Sequence, residues 1–448
     1  MLELRAAKEI KGALRVPPSV DLLVLSLAAA VAAGVKTRIS PVRLMPRVRS
    51  WMAAFKSVAD VVIEGNECVV KPFDKKEQTA MRLSYDDLPY RDCLVFLLLG
   101  RLGVMAIEGL PAKRFDRWAR LAHKAGCSLR REGGGNDGAL VLDKKDHFKI
   151  PEIVVDVEEA HVFLGLALGL NARVECIVDQ AFSSPLRQLL PSFGWECTVK
   201  NTAQGKAENP LVRRLRFLKT GKKSEGPVQF TLRADFSKPP LSEATVTVPG
   251  DDVFAALMML AKCLVPKGSL VIENVGLEAW NTQSLQLLKT MGGTVGTHET
   301  GMSSFGPMGT VIVQKTNAFG RKIECRPWWQ FAAQLPTMAV MAAFAQGQSV
   351  FRGLDDPRED EPDGLARIIG CLAALGARYG EMPDGMVIEG SKQFDGFDIN
   401  VALPAPLAGA FAVSALKCRG PSAIADDHIV KYWPDFKDAL SSICDFKE

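Results

Sequence analysis

Six times along the chain an apolar, alanine- or leucine-rich stretch runs into a small-residue turn and then into a strand-like segment. The clearest copies are AAAVAAGVKTRIS around Gly34, LLLGRLGVMAIEGL around Gly103 and LAKCLVPKGSLVIENV around Gly268. The others are LALGLNARVECIVD beyond Leu170, AAFAQGQSVFRGL around Gly347 and SALKCRGPSAIADD around Gly420. Between them a second unit recurs, a helix closing on glycine before another strand, at Gly126, Gly194, Gly292 and Gly376. The period is roughly 70 residues, stretched once near the middle to roughly 100. A helix ends at low cost on a residue that tolerates positive φ, and the chain must then reverse to lay a strand against the helix it has left. Each repeat therefore reads as strands with two helices, of β-α-β-α-β type, and the whole as a mixed α/β protein with sheets backed by helices.

At 448 residues and 47% hydrophobic content the chain exceeds what one hydrophobic core usually supports, so two or three domains are expected. A net charge of +4 with 24% charged residues is close to balanced. That field is too weak for a nucleic-acid partner and suits a small anionic ligand at most. Ten cysteines occur without a CxxC pair, and His123, His147, His161, His298 and His428 have no ligand-like spacing. No metal site and no cofactor are therefore expected, and free thiols in a reducing cytoplasm fit the cysteine usage. The opening MLELRAAKEI is charged, and the longest apolar run, Leu22 to Val35, stops short of the roughly 20 residues that span a bilayer. Neither an export signal nor a membrane partner is expected.

Three repeats precede the stretch from Asn201 to Thr245 and three follow it. That stretch carries the basic segment RRLRFLKTGKKSEG and the pair Pro239 and Pro240, which mark a crossing between domains. The first segment, LRAAKEIKGALRVPP, reads as a strand ending on prolines, with a second crossing near Pro17. The expected division puts residues 1–18 and 246–448 in one domain and 19–245 in the other, three repeats each.

IKGALRVPPSVDLLVLSLAAAVAAG resembles the opening of the 5-enolpyruvylshikimate-3-phosphate (EPSP) synthases, and VPGDDVFAALMMLAKCLVPKGSLVIENVG resembles their entry into the second domain. The segment from Met341 to Gly390 is similar to the region around their R-x-K-E-x-D-R motif, and HIVKYWPDFKDAL to their closing lysine, aromatic, proline and phenylalanine pattern. The order and spacing of these segments hold along most of the chain. The resemblance implies a two-domain, inside-out α/β barrel, each domain of three βαβαββ units with helices inside and sheets outward. It also implies an enolpyruvyl (carboxyvinyl) transferase of the shikimate pathway, working on phosphoenolpyruvate and shikimate-3-phosphate in a cleft between the domains.

Such a transfer needs cations for two phosphates and a carboxylate, an acid for a vinyl carbon and a base for a hydroxyl proton. Measured against the family's motifs, the chain departs at most positions. Val20 and Asp21 stand where the family has lysine and serine, and Leu25 where it has arginine. Glu158, Glu159 and Ala160 replace the serine, serine and glutamine that hold the substrate phosphate, the catalytic aspartate falls near Ala333 and Gln334, and Pro404, Ala405 and Pro406 replace a D-H-R turn. Retained are Arg358, Glu361 and Asp363 in the acidic turn, and Lys431 near the C-terminus. By resemblance Arg358 and Lys431 face phosphoenolpyruvate and Glu361 is the candidate acid. Losing five charge-assisted contacts of about 1.5 to 3 kcal/mol each would remove as much as the roughly 8 kcal/mol of micromolar binding, even allowing for non-additivity. Activity on shikimate-3-phosphate is therefore not expected.

Each singled-out feature also has a plainer reading. DDPREDEPD reads as a solvated loop leading into a helix from Leu365, and Glu158 with Glu159 as helix-start acids. Arg114, Arg117 and Arg120 read as one solvated face of a helix. His161 reads as a core side chain, Gly133 to Gly135 as a hairpin turn, and Trp328 with Trp329 as core packing. Lys431 reads as a surface cation. Three function classes follow: a diverged transferase, an anion-binding pseudoenzyme that keeps the cleft, and a non-catalytic structural or regulatory partner of another protein.

Overall fold

The Val20–Ala33 helix shows how one repeat folds. The Ser19 hydroxyl accepts from the Leu22 N–H at 3.3 Å and starts the helix, and Gly34 ends it at φ 70°, its N–H bonded to the Ala30 and Val31 carbonyls. Asp21 and Ala33 alone in this helix are not buried. A helix apolar on every side belongs inside a core. The computed structural model places it so, and describes residues 1–74, 80–133, 138–144, 154–178, 182–201, 230–314, 317–326, 328–354 and 362–446. The other repeat glycines take the same positive φ, and where the third repeat has no glycine Asn171 adopts φ 51°.

After Gly34 the chain forms Lys36–Ser40, which pairs in parallel with Glu243–Thr247 and antiparallel with Glu67–Pro72. Glu67–Pro72 returns against Ala59–Glu64. The same order, one parallel pair followed by two antiparallel ones, recurs in four more four-stranded sheets among the described residues. Val104–Glu108, Arg173–Val178, Leu270–Gly276 and Gln348–Arg352 are their second strands. The repeat is thus βαβαββ, one strand longer than its helix and glycine pattern suggests, because its last strand folds back as a hairpin.

The N-terminal segment differs from the single strand that its sequence suggests. Leu2–Leu4 pairs with Ser422–Ile424 and Ala7–Ile10 with Cys444–Phe446, which together complete the sixth repeat. Gly12, at φ 117°, then lets the chain turn so that Gly12–Arg15 opens the fourth sheet beside Leu270–Gly276. Three repeats therefore take a strand remote in sequence: residues 243–247 in the first, 12–15 in the fourth and 2–4 in the sixth.

The core falls into two clusters. One gathers buried residues between Val20 and Val248 with Trp280 and Phe305, the other Leu2 to Val16 with Val253 to Ile443. Helices Arg91–Leu102 and Val157–Gly169 press so closely in the first that a Cβ on Gly169 would sit 2.2 Å from the Leu97 carbonyl oxygen. The two lobes join where residues 16–19 and 249–251 run side by side: the Ser19 N–H donates to the Pro249 carbonyl at 3.0 Å and the Asp251 N–H to that of Pro17 at 2.8 Å. The fold is the expected two-domain α/β architecture, with helices inside and sheets outside. Among the described residues no helix is long and apolar enough to cross a membrane.

Candidate functional site at the interlobe face

The helix starts that face the other lobe carry the polar side chains. In the first lobe Val20 and Leu25 are buried, so two positions where the resemblance calls for cations serve the core instead. Asp21, between them, meets Arg47 of the Pro46–Phe55 helix at 2.6 Å. Arg47 is only 5% exposed, and its guanidinium carbon lies 4.1 Å above the ring of Tyr432, which belongs to the second lobe. Burial opposes the charge on Arg47, but Asp21, Tyr432 and Asp251 outweigh it and hold its pKa raised. One salt bridge thus supports a cation–π contact across the lobes.

The second lobe presents a pair of carboxylates. Asp251 caps the Asp252–Leu264 helix, accepting from the Phe254 N–H at 2.9 Å and from Trp433 Nε1 at 3.1 Å. Asp252 accepts from Gln334 Nε2 at 2.8 Å. Gln334 also donates to the Asn281 carbonyl and accepts from the Ser284 N–H, so its amide is fixed on three sides. Burial pushes the Asp252 carboxyl up to about 7, and the neighbouring Asp251 and Asp21 add to the shift against Gln334. Burial likewise raises Asp251, though its helix cap opposes this. Tyr90, held at φ 47° before the Arg91–Leu102 helix, is raised by burial and then by Asp252.

Further ion pairs cross between the lobes or join helices of the first lobe. Lys431 reaches Asp87 of the first lobe at 3.2 Å, and Arg43 pairs with Asp435. Glu158 pairs with Arg117 at 3.0 Å, and Glu159 with Lys124. The expected solvated arginine face is corrected by the structure: only Arg120 of the three is exposed. Arg114 is buried, donating to the Tyr85 hydroxyl at 3.0 Å, and its guanidinium lies 3.4 Å from Asp92. A buried guanidinium needs such partners, and Asp92, also bonded by Trp118 Nε1 at 2.8 Å, supplies one. Each of Arg47, Lys431, Arg43, Arg117 and Lys124 thus carries a carboxylate. A phosphate approaching any of these five meets its carboxylate as a competitor.

Arg358 and Glu361, with most of the acidic turn, lie outside the described residues, as do Gly134 and Gly135 and the side chains of Asp363, Trp328 and Trp329. Lys431 is described and binds Asp87 rather than standing alone at the surface. The helix after the acidic turn runs Pro362–Ala374. Pro404 to Pro406 begin the Ala405–Ser414 helix, where proline suits the first turn. Ala333 packs against the second core. His161 is a core side chain with its ring against Phe182, and burial lowers it to about 4. Sequence reasoning passed over Arg47, Asp87, Tyr90, Asp92, Asp251 and Asp252. Only Asp251 and Asp252 left a local signal, two acids ahead of a long apolar helix; the rest became visible only through contacts between elements far apart in sequence.

A hollow of about 480 Å³ is lined by residues between Ala374 and Gly396 of the second lobe and shares none with this face.

The family model described as EPSP synthase (3-phosphoshikimate 1-carboxyvinyltransferase) matches residues 231–440. A 3-phosphoshikimate 1-carboxyvinyltransferase of Synechococcus sp. (strain JA-3-3Ab) is 26% identical over 459 aligned positions, covering 99% of this chain and 96% of that protein. One from Desulforudis audaxviator (strain MP104C) is 31% identical over 206, or 46% of this chain and 48% of that protein. In structure the chain is similar to the EPSP synthase of Acinetobacter baumannii, with TM-score 0.70 and 17% identity over 99% of this chain and 98% of that one. It is also similar to the enolpyruvyl transferase NikO of Streptomyces tendae, with TM-score 0.68 and 15% identity over 98% and 96%.

Proposed function

The chain is a member of the EPSP synthase and enolpyruvyl transferase family, and from that premise we propose that it no longer transfers enolpyruvyl to shikimate-3-phosphate and acts as an anion-binding relative. The observation that carries this reading is the pairing of Glu158 with Arg117 and Glu159 with Lys124. At the place where the family's motif holds a phosphate, this chain sets two carboxylates and satisfies them internally. A phosphate there would meet like charge. Val20 and Leu25, both buried, supply no compensating cation.

What remains for a ligand is the phosphoenolpyruvate side, with Lys431, Arg358 and Glu361 in the roles the resemblance gives them. Lys431 now spends its charge on Asp87. A carboxylate or phosphate ligand therefore competes with an internal carboxylate, and the affinity expected is about millimolar, near 4 kcal/mol. The same proposal assigns residues 1–18 and 246–448 to one domain and 19–245 to the other. Val246 and Val248 pack in the first core, which favours placing the second crossing a few residues later, at Pro249 and Gly250. A cytoplasmic location belongs to it too, supported by ten thiols of which nine are buried.

Purified protein mixed with shikimate-3-phosphate and phosphoenolpyruvate should release no phosphate above background. Release at about 1 per second, an ordinary enzymic turnover, would mean that other residues have replaced the missing cations. Calorimetry with phosphoenolpyruvate on the wild type, Arg358→Ala and Lys431→Ala tests the residual subsite. Identical heats from all three would leave the non-catalytic partner reading in its place.

A further inference from the structure

One strand of the fourth sheet holds both crossings between the lobes. Leu270–Gly276 is interrupted between Ile272 and Val275 by a bulge, where Asn274 sits at φ 64°, a left-handed conformation uncommon outside glycine. The bulge turns two polar groups of Asn274 onto the crossings. Its carbonyl accepts from the Gly250 N–H at 2.9 Å, and its side-chain Nδ2 donates to the Val16 carbonyl at 3.0 Å. The fit at Gly250 is close, since a Cβ there would stand 2.2 Å from the Asn274 carbonyl oxygen. Pro17, Pro18 and Pro249 flank these contacts. Each fixes its own φ, so few backbone torsions in either crossing are left to turn.

The same sheet reaches the first lobe at a second place, the turn between Val295–Ser303 and Gly306–Val313. The Ser304 N–H donates to the Thr247 carbonyl at 3.0 Å, and its hydroxyl oxygen accepts from the Thr247 N–H at 3.0 Å and from the Ser192 hydroxyl at 2.9 Å. Phe305, 1% exposed, packs with Trp280 in the first core. A body held at two points keeps one rotation, about the line through them. Two lobes that each have a core, with a polar face between them, are free to use it.

We propose that Asn274 and the Ser304–Phe305 turn are the two bearings of an interlobe hinge, about which the face carrying Arg47, Tyr432, Asp87 and Lys431 opens while both cores stay packed. A hinge confines the change in torsions to a few residues at the ends of elements, as the crossings do here. The bearings share no residue with that face. The hinge therefore goes beyond the proposed anion binding and stands whether or not an anion binds.

Hydrogen–deuterium exchange of the full chain, read by mass spectrometry, tests the bearings, and small-angle X-ray scattering follows the lobe separation. Asn274→Gly keeps the left-handed backbone and the carbonyl but removes the bond to Val16. Ser304→Ala removes the hydroxyl that Thr247 and Ser192 share, and carries the test alone if Asn274→Gly does not fold. Each should speed exchange at residues 16–19 and 247–251 by about five- to tenfold, the worth of one or two neutral hydrogen bonds, while the Val20–Ala33 and Asp252–Leu264 helices keep their protection. Arg47→Ala, at the face and not at a bearing, should widen the scattering radius and leave exchange at the crossings unchanged. Equal acceleration in the two helices would make Asn274 and Ser304 ordinary parts of the fold and overturn the hinge. Unchanged exchange in the variants, or crossings accelerated by Arg47→Ala as much as by Asn274→Gly, would overturn it by placing the pivot elsewhere.

Discussion

The helix-filled interior of each lobe and the face between the lobes obey different rules. In the interior, Val20–Ala33 and Ala405–Ser414 are helices of small and aliphatic residues buried almost throughout, each ending against the turn that starts a strand. At the interlobe face the same helix starts carry Asp21 and, in place of a D-H-R turn, Pro404 to Pro406. In the first lobe one helix thus carries an apolar interior and a polar start at the interlobe face. Backbone geometry and apolar volume fix the repeat, and neither depends on which charges stand at the helix starts.

The largest expected effect tests the interior. Gly169→Leu would drive a side chain into the Leu97 carbonyl, 2.2 Å from where the Cβ would lie, in contact with another helix that cannot yield. A loss of more than about 3 kcal/mol is expected in denaturant titration; a loss under about 1 kcal/mol would show that the helix pair is looser than its geometry indicates. The face should yield less. Arg47→Ala removes the cation that balances Asp21 and stacks on Tyr432, and about 2 to 3 kcal/mol should go. Restoring length without charge, in Arg47→Met, should recover only the packing part.

The pH response is smaller per step and separates the two regions. Asp252 is raised to about 7 by burial, so the folded chain holds a proton that the unfolded chain has lost above about pH 4. Its contribution to stability is fully present below that pH and declines as the pH rises through 7, at about 1.4 kcal/mol per pH unit. Thermal melts of wild type and Asp252→Asn should converge at low pH and diverge toward neutrality, the variant being the more stable there. Smallest of all, Lys431→Ala breaks a partly exposed pair with Asp87 and should cost about 0.5 kcal/mol.

How far the sequence could be read follows the same division. The turns at Gly34, Gly103, Gly268, Gly347 and Gly420 were legible because each combines a local helix end with a local conformational need, and all five lie at positive φ. The N-terminal segment was only half legible. Its strand character is local, but its division among three sheets depends on partners near residues 270, 422 and 444. Lys431 was legible as a retained cation, yet its partner Asp87 lies 344 residues away and no spacing announces it. Arg114 and Arg117 follow a helical period that suits a solvated stripe equally well. What turned them inward was Asp92 and Glu158, contributed by other helices.

The central claim is that the fold has been kept while the phosphate site has been closed by its own carboxylates, and titration calorimetry with shikimate-3-phosphate tests it most directly. The account predicts no saturable heat up to about millimolar concentration, because Glu158 and Glu159 repel the phosphate and hold Arg117 and Lys124 to themselves. Micromolar binding, about 8 kcal/mol, that is lost in Arg117→Ala or Lys124→Ala would contradict it, since those cations would then be serving the ligand and not the glutamates.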